Sequence, residues 1–213
     1  MRTWHRRITL CIDLFYVAKN GFFCSTSRNI NFHTIQPLES ESYGKLLSRL
    51  QTIIDLFTAR GFEVQHVRGD GQFECLEDSI RPIHMHIAAP GQHVPEIERT
   101  IRTIKEDVRS TINSLPYSRF TKLMIRHVVK FHVRLRNTRI NTNSACRDLN
   151  PYTIMTGKTN PSFHDYKLEF GAYAQVSEHP DNLNSTEPRT TGAISLGPSN
   201  DEGGWHFMSL ISG

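Results

Sequence analysis

Three patterns in the sequence predict an α/β fold, a mixed five-stranded sheet flanked by helices with a small C-terminal β appendage. Three short segments rich in β-branched and aromatic residues open the chain, and a stripe of apolar residues at helical spacing follows them. Two more strand-like runs then precede two further helical stripes, and this order of elements suits one sheet covered by helices.

The segments 7–14 (RITLCIDL) and 21–27 (GFFCSTS) read as strands, separated by Ala18-Lys19-Asn20-Gly21, a turn sequence of the kind that joins hairpins. A third run, 30–35, completes a meander. Leu46, Leu47, Leu50, Ile53, Ile54 and Phe57 recur at helical spacing, and Arg60-Gly61 closes that helix. Residues 62–67 predict a strand that runs into Gly69-Asp70-Gly71, and 83–88 predict another. Pro95 suits a first helical turn, after which Ile97, Ile101, Ile104, Val108 and Ile112 form an apolar stripe that stops before Leu115-Pro116. A second long helix is predicted over 121–135. These elements make a core of residues 1–136. Residues 137–166, polar and broken by Asn, Pro and Gly, read as a connector. A β-rich unit, 167–213, follows, with strands expected at 168–176, 192–196 and 205–210. No internal repeat is present.

Composition narrows the class. With 38% hydrophobic and 22% charged residues, the chain can build a core and is neither a disordered tail nor a membrane-embedded bundle. No run of eighteen apolar residues occurs, so no transmembrane helix is expected. The start, MRTWHRRITL, places basic residues before an apolar stretch, but Asp13 interrupts it and no small-residue cleavage site follows, so it reads as the first strand rather than a secretion signal. Cys11, Cys24, Cys75 and Cys146 lie far apart with no CxxC pair, which fits a reducing compartment and supports neither a disulfide framework nor a structural zinc site. The net charge is +4 and the pI about 9.0. The positive residues concentrate between Arg99 and Arg147, where the acids are Glu106 and Asp107. Such a basic half suits an anionic partner.

Three acids invite a chemical reading. Asp13 falls inside an apolar strand, where an ionised carboxylate is costly unless a partner meets it; taken alone it is as well an outward-facing edge residue. Asp70, between two glycines, is alone no more than a turn former. Glu98 borders the buried stripe of its helix, with Arg102, Lys105 and Arg109 four, seven and eleven residues further on along the same side, which is also how an ordinary solvated face looks. Jointly they differ, because a strand, a second strand end and a nearby helix can converge in an open α/β sheet. Phosphoryl transfer with two magnesium or manganese ions needs several carboxylates as hard oxygen ligands. One ion then activates an attacking water or 3′ hydroxyl and the other stabilises the leaving 3′ oxygen, so no Ser, Cys or His nucleophile is required, and no GxSxG motif occurs. His84-Met85-His86, with His93 nearby, points two rings to one face but brings no fourth ligand, and isolated histidines are usually structural. Phe22, Phe23, Phe32, Phe57, Phe62 and Phe73 read as core.

The blocks CIDLFYVAKNGFFCSTSRNINF, RGFEVQHVRGDGQFE, GQHVPEIERTIRTIKEDVRS, SLPYSRF, FGAYAQV and PRTTGAISLGPSNDEGGWHFMSL give the chain a family likeness. It resembles the integrase catalytic core of Ty1/copia-like retrotransposons, in the variant of diatoms and other protists. HVPEIERTIRTIKE and RTTGAISL carry the likeness most specifically. The resemblance implies a ribonuclease-H-like fold and an Asp-Asp-Glu triad on Asp13, Asp70 and Glu98, binding two Mg2+ or Mn2+ ions. Glu96 competes for the third place, but the family's catalytic Glu stands directly before a basic or small residue with further bases one and two turns on, which Glu98 matches. The resemblance further implies that Arg99, Arg102, Lys105 and Arg109 meet the phosphates of DNA.

The expected activity is therefore that of a polynucleotidyl transferase that processes DNA 3′ ends and joins them to target DNA. Its partners are element ends and target duplex, with a homo-oligomer as the active form, no membrane and no small-molecule cofactor, and its place the nucleus when functional, otherwise the cytoplasm. The amino-terminal HHCC zinc module of complete integrases is not in this sequence, so the chain reads as a fragment of an element. Two rivals stand beside this reading: a decayed or domesticated fragment that only binds nucleic acid, and a ribonuclease-H-like nuclease that cuts RNA in hybrids.

Overall fold

The computed structural model describes residues 6–89, 92, 94–140, 146, 148–158, 166–177, 189–199 and 204–212. Its larger sheet is built from β1 (Arg7–Val17), β2 (Asn20–Ser27), β3 (His33–Leu38), β4 (Glu63–Gly69) and β5 (His84–Ile87), in the order β3-β2-β1-β4-β5. The first three strands are an antiparallel meander, whereas β4 lies parallel to β1 and β5 parallel to β4. The parallel step from β3 to β4 needs a crossover, and α1 (Tyr43–Ala59) supplies it. The sheet is thus mixed, as predicted.

The β1–β2 hairpin turns on two residues, Ala18 and Lys19, both in the left-handed region at φ +45° and +62°. This primed turn matches strand twist but strains residues with a Cβ. Asn20 offsets that by donating its side-chain amide to the Ala18 carbonyl at 2.9 Å. The third strand begins later than the sequence suggests. Asn31 takes a left-handed turn at φ +52°, so Ile30 is a buried plug in the turn and pairing starts only at His33.

Alternation along β1 separates two cores. Ile8, Leu10 and Ile12 face α1, packing with Leu50, Ile53 and Phe57, while Cys11 and Phe15 face the opposite layer of α2 (Pro95–Ser114) and α3 (Lys122–Asn137). Helix α2 starts with Pro95 at its first turn and buries Ile97, Ile101, Ile104 and Val108. Helix α3 is capped by Thr121, whose hydroxyl accepts from the Met124 N–H. Five of the six aromatic residues assigned to the core are buried, and Phe32 packs against it part-buried.

Two elements were not anticipated. A 3₁₀ segment, Gly71–Ile80, follows β4 and fills the α1-side core with Phe73, Leu76 and Ile80. Within the stretch read as connector, α4 (Pro151–Thr156) packs Ile154 and Met155 into that same core. The second sheet, β6 (Tyr173–Ser177), β7 (Thr190–Pro198) and β8 (Trp205–Ser209), is antiparallel in the order β6-β7-β8. Its Ile194 and Leu196 join the α2–α3 core, so the β appendage rests on the helices of the larger unit. Among the described residues no helix is long and apolar enough to cross a membrane.

Candidate active site

Asp13 lies on β1, the middle strand, between β2 and β4. The reading of Asp13 as an outward-facing edge residue therefore fails. It shares its face with Cys11 and Phe15, the face that α2 covers, and stands opposite Cys24 on β2. Register brings Asp70 to it. Cys11 pairs with Arg68 on the parallel β4, so two residues further along each chain Asp13 comes beside Asp70, just past the strand end. Gly69 points to the α1 side, toward Phe73 and Ile12, which leaves Asp70 on the α2 side with Asp13.

Asp70 precedes the 3₁₀ segment in extended backbone, φ −86° and ψ −179°, and its side chain makes no capping hydrogen bond. Its backbone carbonyl does accept the turn bond from the Phe73 N–H at 3.2 Å, so Asp70 opens a turn in which its side chain takes no part. Oδ1 of Asp70 is buried with no hydrogen-bond partner among the described residues. A buried oxygen of that kind carries a desolvation penalty until a donor or a cation meets it. Glu98 sits half-buried in the first turn of α2, beside the Ile97 and Ile101 stripe that packs on the sheet.

The charges couple. Burial raises the Asp13 carboxyl from its ordinary value to about 6, against the Leu14 N–H that donates to Oδ1 at 2.7 Å; the charges of Asp70 and Glu98 raise it further, and Lys105 lowers it. Among the described residues, no three His, Cys, Asp or Glu side chains are drawn together as a ready metal cage. Asp70 and Glu98 act on Asp13 electrostatically without forming such a cage. An orphaned oxygen on Asp70 and a carboxyl held near 6 on Asp13 both fit hard divalent cations, for which carboxylate oxygen is the preferred ligand.

Glu96, the rival for the third position, is taken by another partner. Arg28, in the β2–β3 turn, donates Nε to Glu96 Oε1 at 2.9 Å and adds a second bond through Nη2. Burial by itself would raise the Glu96 carboxyl, but the Arg28 hydrogen bonds and charge bring it below the usual range. Sequence reading missed Arg28, whose link to Glu96 depends on tertiary placement.

The four cations expected on DNA all lie on α2. Arg99, Arg102 and Arg109 are exposed, and Lys105 is half-buried with Nζ 5.7 Å from the Phe15 ring centroid. Much of the basic stretch on α3 serves the protein itself. Arg134 donates to the carbonyls of Pro198 and Ser199 at 3.1 and 2.6 Å, Arg136 lies 3.8 Å from Asp107, and Arg126 lies 3.9 Å from Glu39. His84 and His86 do turn to one side of β5, while His93 lies outside the described residues. The four cysteines are free thiols.

No protein-family model matches the sequence, and no curated protein matches it. Solved structures do match in shape. The catalytic core domain of BIV integrase superposes with a TM-score of 0.50 at 13% identity, covering 70% of this chain and 93% of that one. The HTLV-2 integrase catalytic core domain, solved in complex with magnesium in a trimeric form, superposes with a TM-score of 0.50 at 12% identity, covering 69% and 95%. The mixed five-stranded sheet with helices on both faces is the fold of an integrase catalytic core.

Proposed function

We propose that this chain is the catalytic core of a retrotransposon-type integrase of the Ty1/copia kind, in its protist variant. It would catalyse metal-dependent processing of DNA 3′ ends and their transfer into target DNA. The observation that carries this reading is the β1–β4 register that sets Asp13 beside Asp70, whose buried Oδ1 has no hydrogen-bond partner among the described residues, with Glu98 in the first turn of the helix that covers this face. Three acids from a central strand, a neighbouring strand end and a helix are the oxygen-ligand set that phosphoryl transfer by two metal ions requires. The magnesium complex of the HTLV-2 core adds support for Mg2+ or Mn2+ as the cation.

Asp13, Asp70 and Glu98 would hold the ions, which when bound supply Lewis-acid stabilisation of charge at the reacting phosphate. Lys105 has two tasks in this scheme, lowering the charge density at Asp13 and presenting an ammonium next to the site. Arg99, Arg102 and Arg109 would hold the DNA backbone through charge-assisted bonds to phosphate. Alignment of the 3′ end with the target phosphate, more than any protein nucleophile, would then set the rate. A homo-oligomer bridging two DNA ends and a nuclear site of action belong to the same proposal.

Strand transfer of an oligonucleotide duplex with Mg2+ or Mn2+, compared between the natural chain and Asp70→Asn, tests it. Joined products from the natural chain and none from Asp70→Asn are expected. Salt-sensitive DNA binding without joining in either protein would leave only the nucleic-acid-binding reading. Cleavage confined to RNA in hybrids would favour a nuclease.

A further inference from the structure

Helix α2 packs over β1 and β2, and at the sheet edge on the same side β5 leaves His84 and His86 exposed among the described residues. Three histidines meet there. His66 on β4 pairs in register with His84 on β5, and His86 stands two pairs further along, opposite Arg68. Between them Met85 points the other way into the α1-side core. His66 Nδ1 and His86 Nε2 are 3.0 Å apart, and the His84 ring stacks on His66 at a centroid distance of 5.7 Å and 28°. His84 and His86 are exposed and His66 is half-buried.

A hydrogen bond between two imidazoles needs one N–H and one lone pair. If the donor ring moves its proton to its other nitrogen, both lone pairs point into the gap. Two imidazoles on one tetrahedral Zn2+, with Zn–N near 2.0–2.1 Å, hold their nitrogens about 3.4 Å apart. The observed pair needs only a few tenths of an ångström more. We propose that His66 and His86 form a transition-metal site of the Zn2+ class on this face, with His84 as third ligand after its ring rotates out of the stack.

Ligand chemistry separates this site from the carboxylates: imidazole suits Zn2+, Ni2+ or Cu2+, whereas carboxylate suits Mg2+ and Mn2+. Arg68 does not defeat it. Arg68, opposite His86 in register, also acts on Cys11 and Glu96, so its charge is shared with groups on β1 and α2. A bound ion would tie β5, a four-residue edge strand, to β4 four residues before Asp70. The site stands on strand register and ring geometry and is independent of the integrase reading.

The test is a calorimetric titration of the full chain with Zn2+ at neutral pH under excess Mg2+, which keeps the carboxylates occupied. His66→Gln, His84→Gln, His86→Gln and Asp70→Asn are compared, with circular dichroism confirming that each is folded. One Zn2+ per chain is expected. Each His variant should weaken binding by about tenfold or more, at least what loss of an outer-shell partner costs a metal site. Asp70→Asn should bind like the natural chain, and Zn2+ should raise the thermal midpoint of the natural chain but not of His86→Gln. Absence of Zn2+ binding, unchanged affinity in the His variants, or loss in Asp70→Asn would overturn the proposal.

Discussion

Arg28 and Glu96 form a two-bond ion pair between the β2–β3 turn and the first turn of α2, with Nε to Oε1 at 2.9 Å. This pair distinguishes two glutamates that lie two residues apart in the sequence. Glu96 is held by its arginine, while Glu98 acts on Asp13. Glu98→Gln should lower strand transfer by at least about 100-fold, since a two-metal centre supplies several kcal/mol and each 1.36 kcal/mol is tenfold in rate. Glu96→Gln should stay within about a few-fold in rate and lose about 0–1 kcal/mol of stability, because the pair is partly exposed. Rates and urea midpoints of both variants check this.

Asp13 predicts an opposition between stability and activity. Its folded-state carboxyl titrates near 6, above the ordinary value of 3.8. A raised folded value means that the native state keeps the proton longer than the unfolded chain, so stability falls as pH rises from about 4 through about 6. Asp13→Asn should therefore stabilise the metal-free protein at pH 7 and lose that advantage below about pH 4. It should also abolish strand transfer. Thermal unfolding across that pH range, in chelator, measures the first effect.

The meander, α1, the parallel strands, α2 and α3 were all legible in the sequence, because each carries a period of two or of 3.6 residues bounded by turn chemistry. The 3₁₀ segment was not. Phe73, Leu76 and Ile80 do stand three and four residues apart, but over a single ten-residue stretch, and the Gly-Asp-Gly before them reads as a turn. Helix α4 is hidden for a similar reason, being six residues long in a polar stretch. Of the candidate site, Asp13, Asp70 and Glu98 could be nominated from residue type and family likeness. Their common face could not, because it depends on the register of β1 with β4. The irregularity between Ile8 and Thr9 sets that register, and no local pattern encodes it. The same limit hid His66, which meets His84 and His86 only through strand pairing.

Gly69 keeps the sheet open for Phe73. A Cβ at this position would stand 2.7 Å from Phe73 Cδ2 and 3.1 Å from Ile12 Cγ1. Gly69→Ala should cost about 1–3 kcal/mol by overpacking. Because Asp70 is the next residue, activity should fall as well, even in the fraction that remains folded. Chemical denaturation alongside strand transfer separates the two losses.

Asn137, the last residue of α3, seals the start of β3. Its Oδ1 accepts from the His33 N–H and its Nδ2 donates to the His33 carbonyl, each at 2.8 Å, with both residues buried. Asn137→Ala should cost about 1–3 kcal/mol for the buried backbone groups left unpaired. The His33 ring, lowered to about 3 by burial and the Arg136 charge, should show no titration between pH 5 and 8 by imidazole proton NMR.

The most direct test of the central claim is the affinity of Mn2+ for the natural chain, measured by electron paramagnetic resonance, against Asp13→Asn, Asp70→Asn, Glu98→Gln and Glu96→Gln. The account predicts that the first three variants each weaken binding by about tenfold or more and that Glu96→Gln binds as the natural chain does. Mn2+ binding that survives in Glu98→Gln, or that fails in Glu96→Gln, would contradict it.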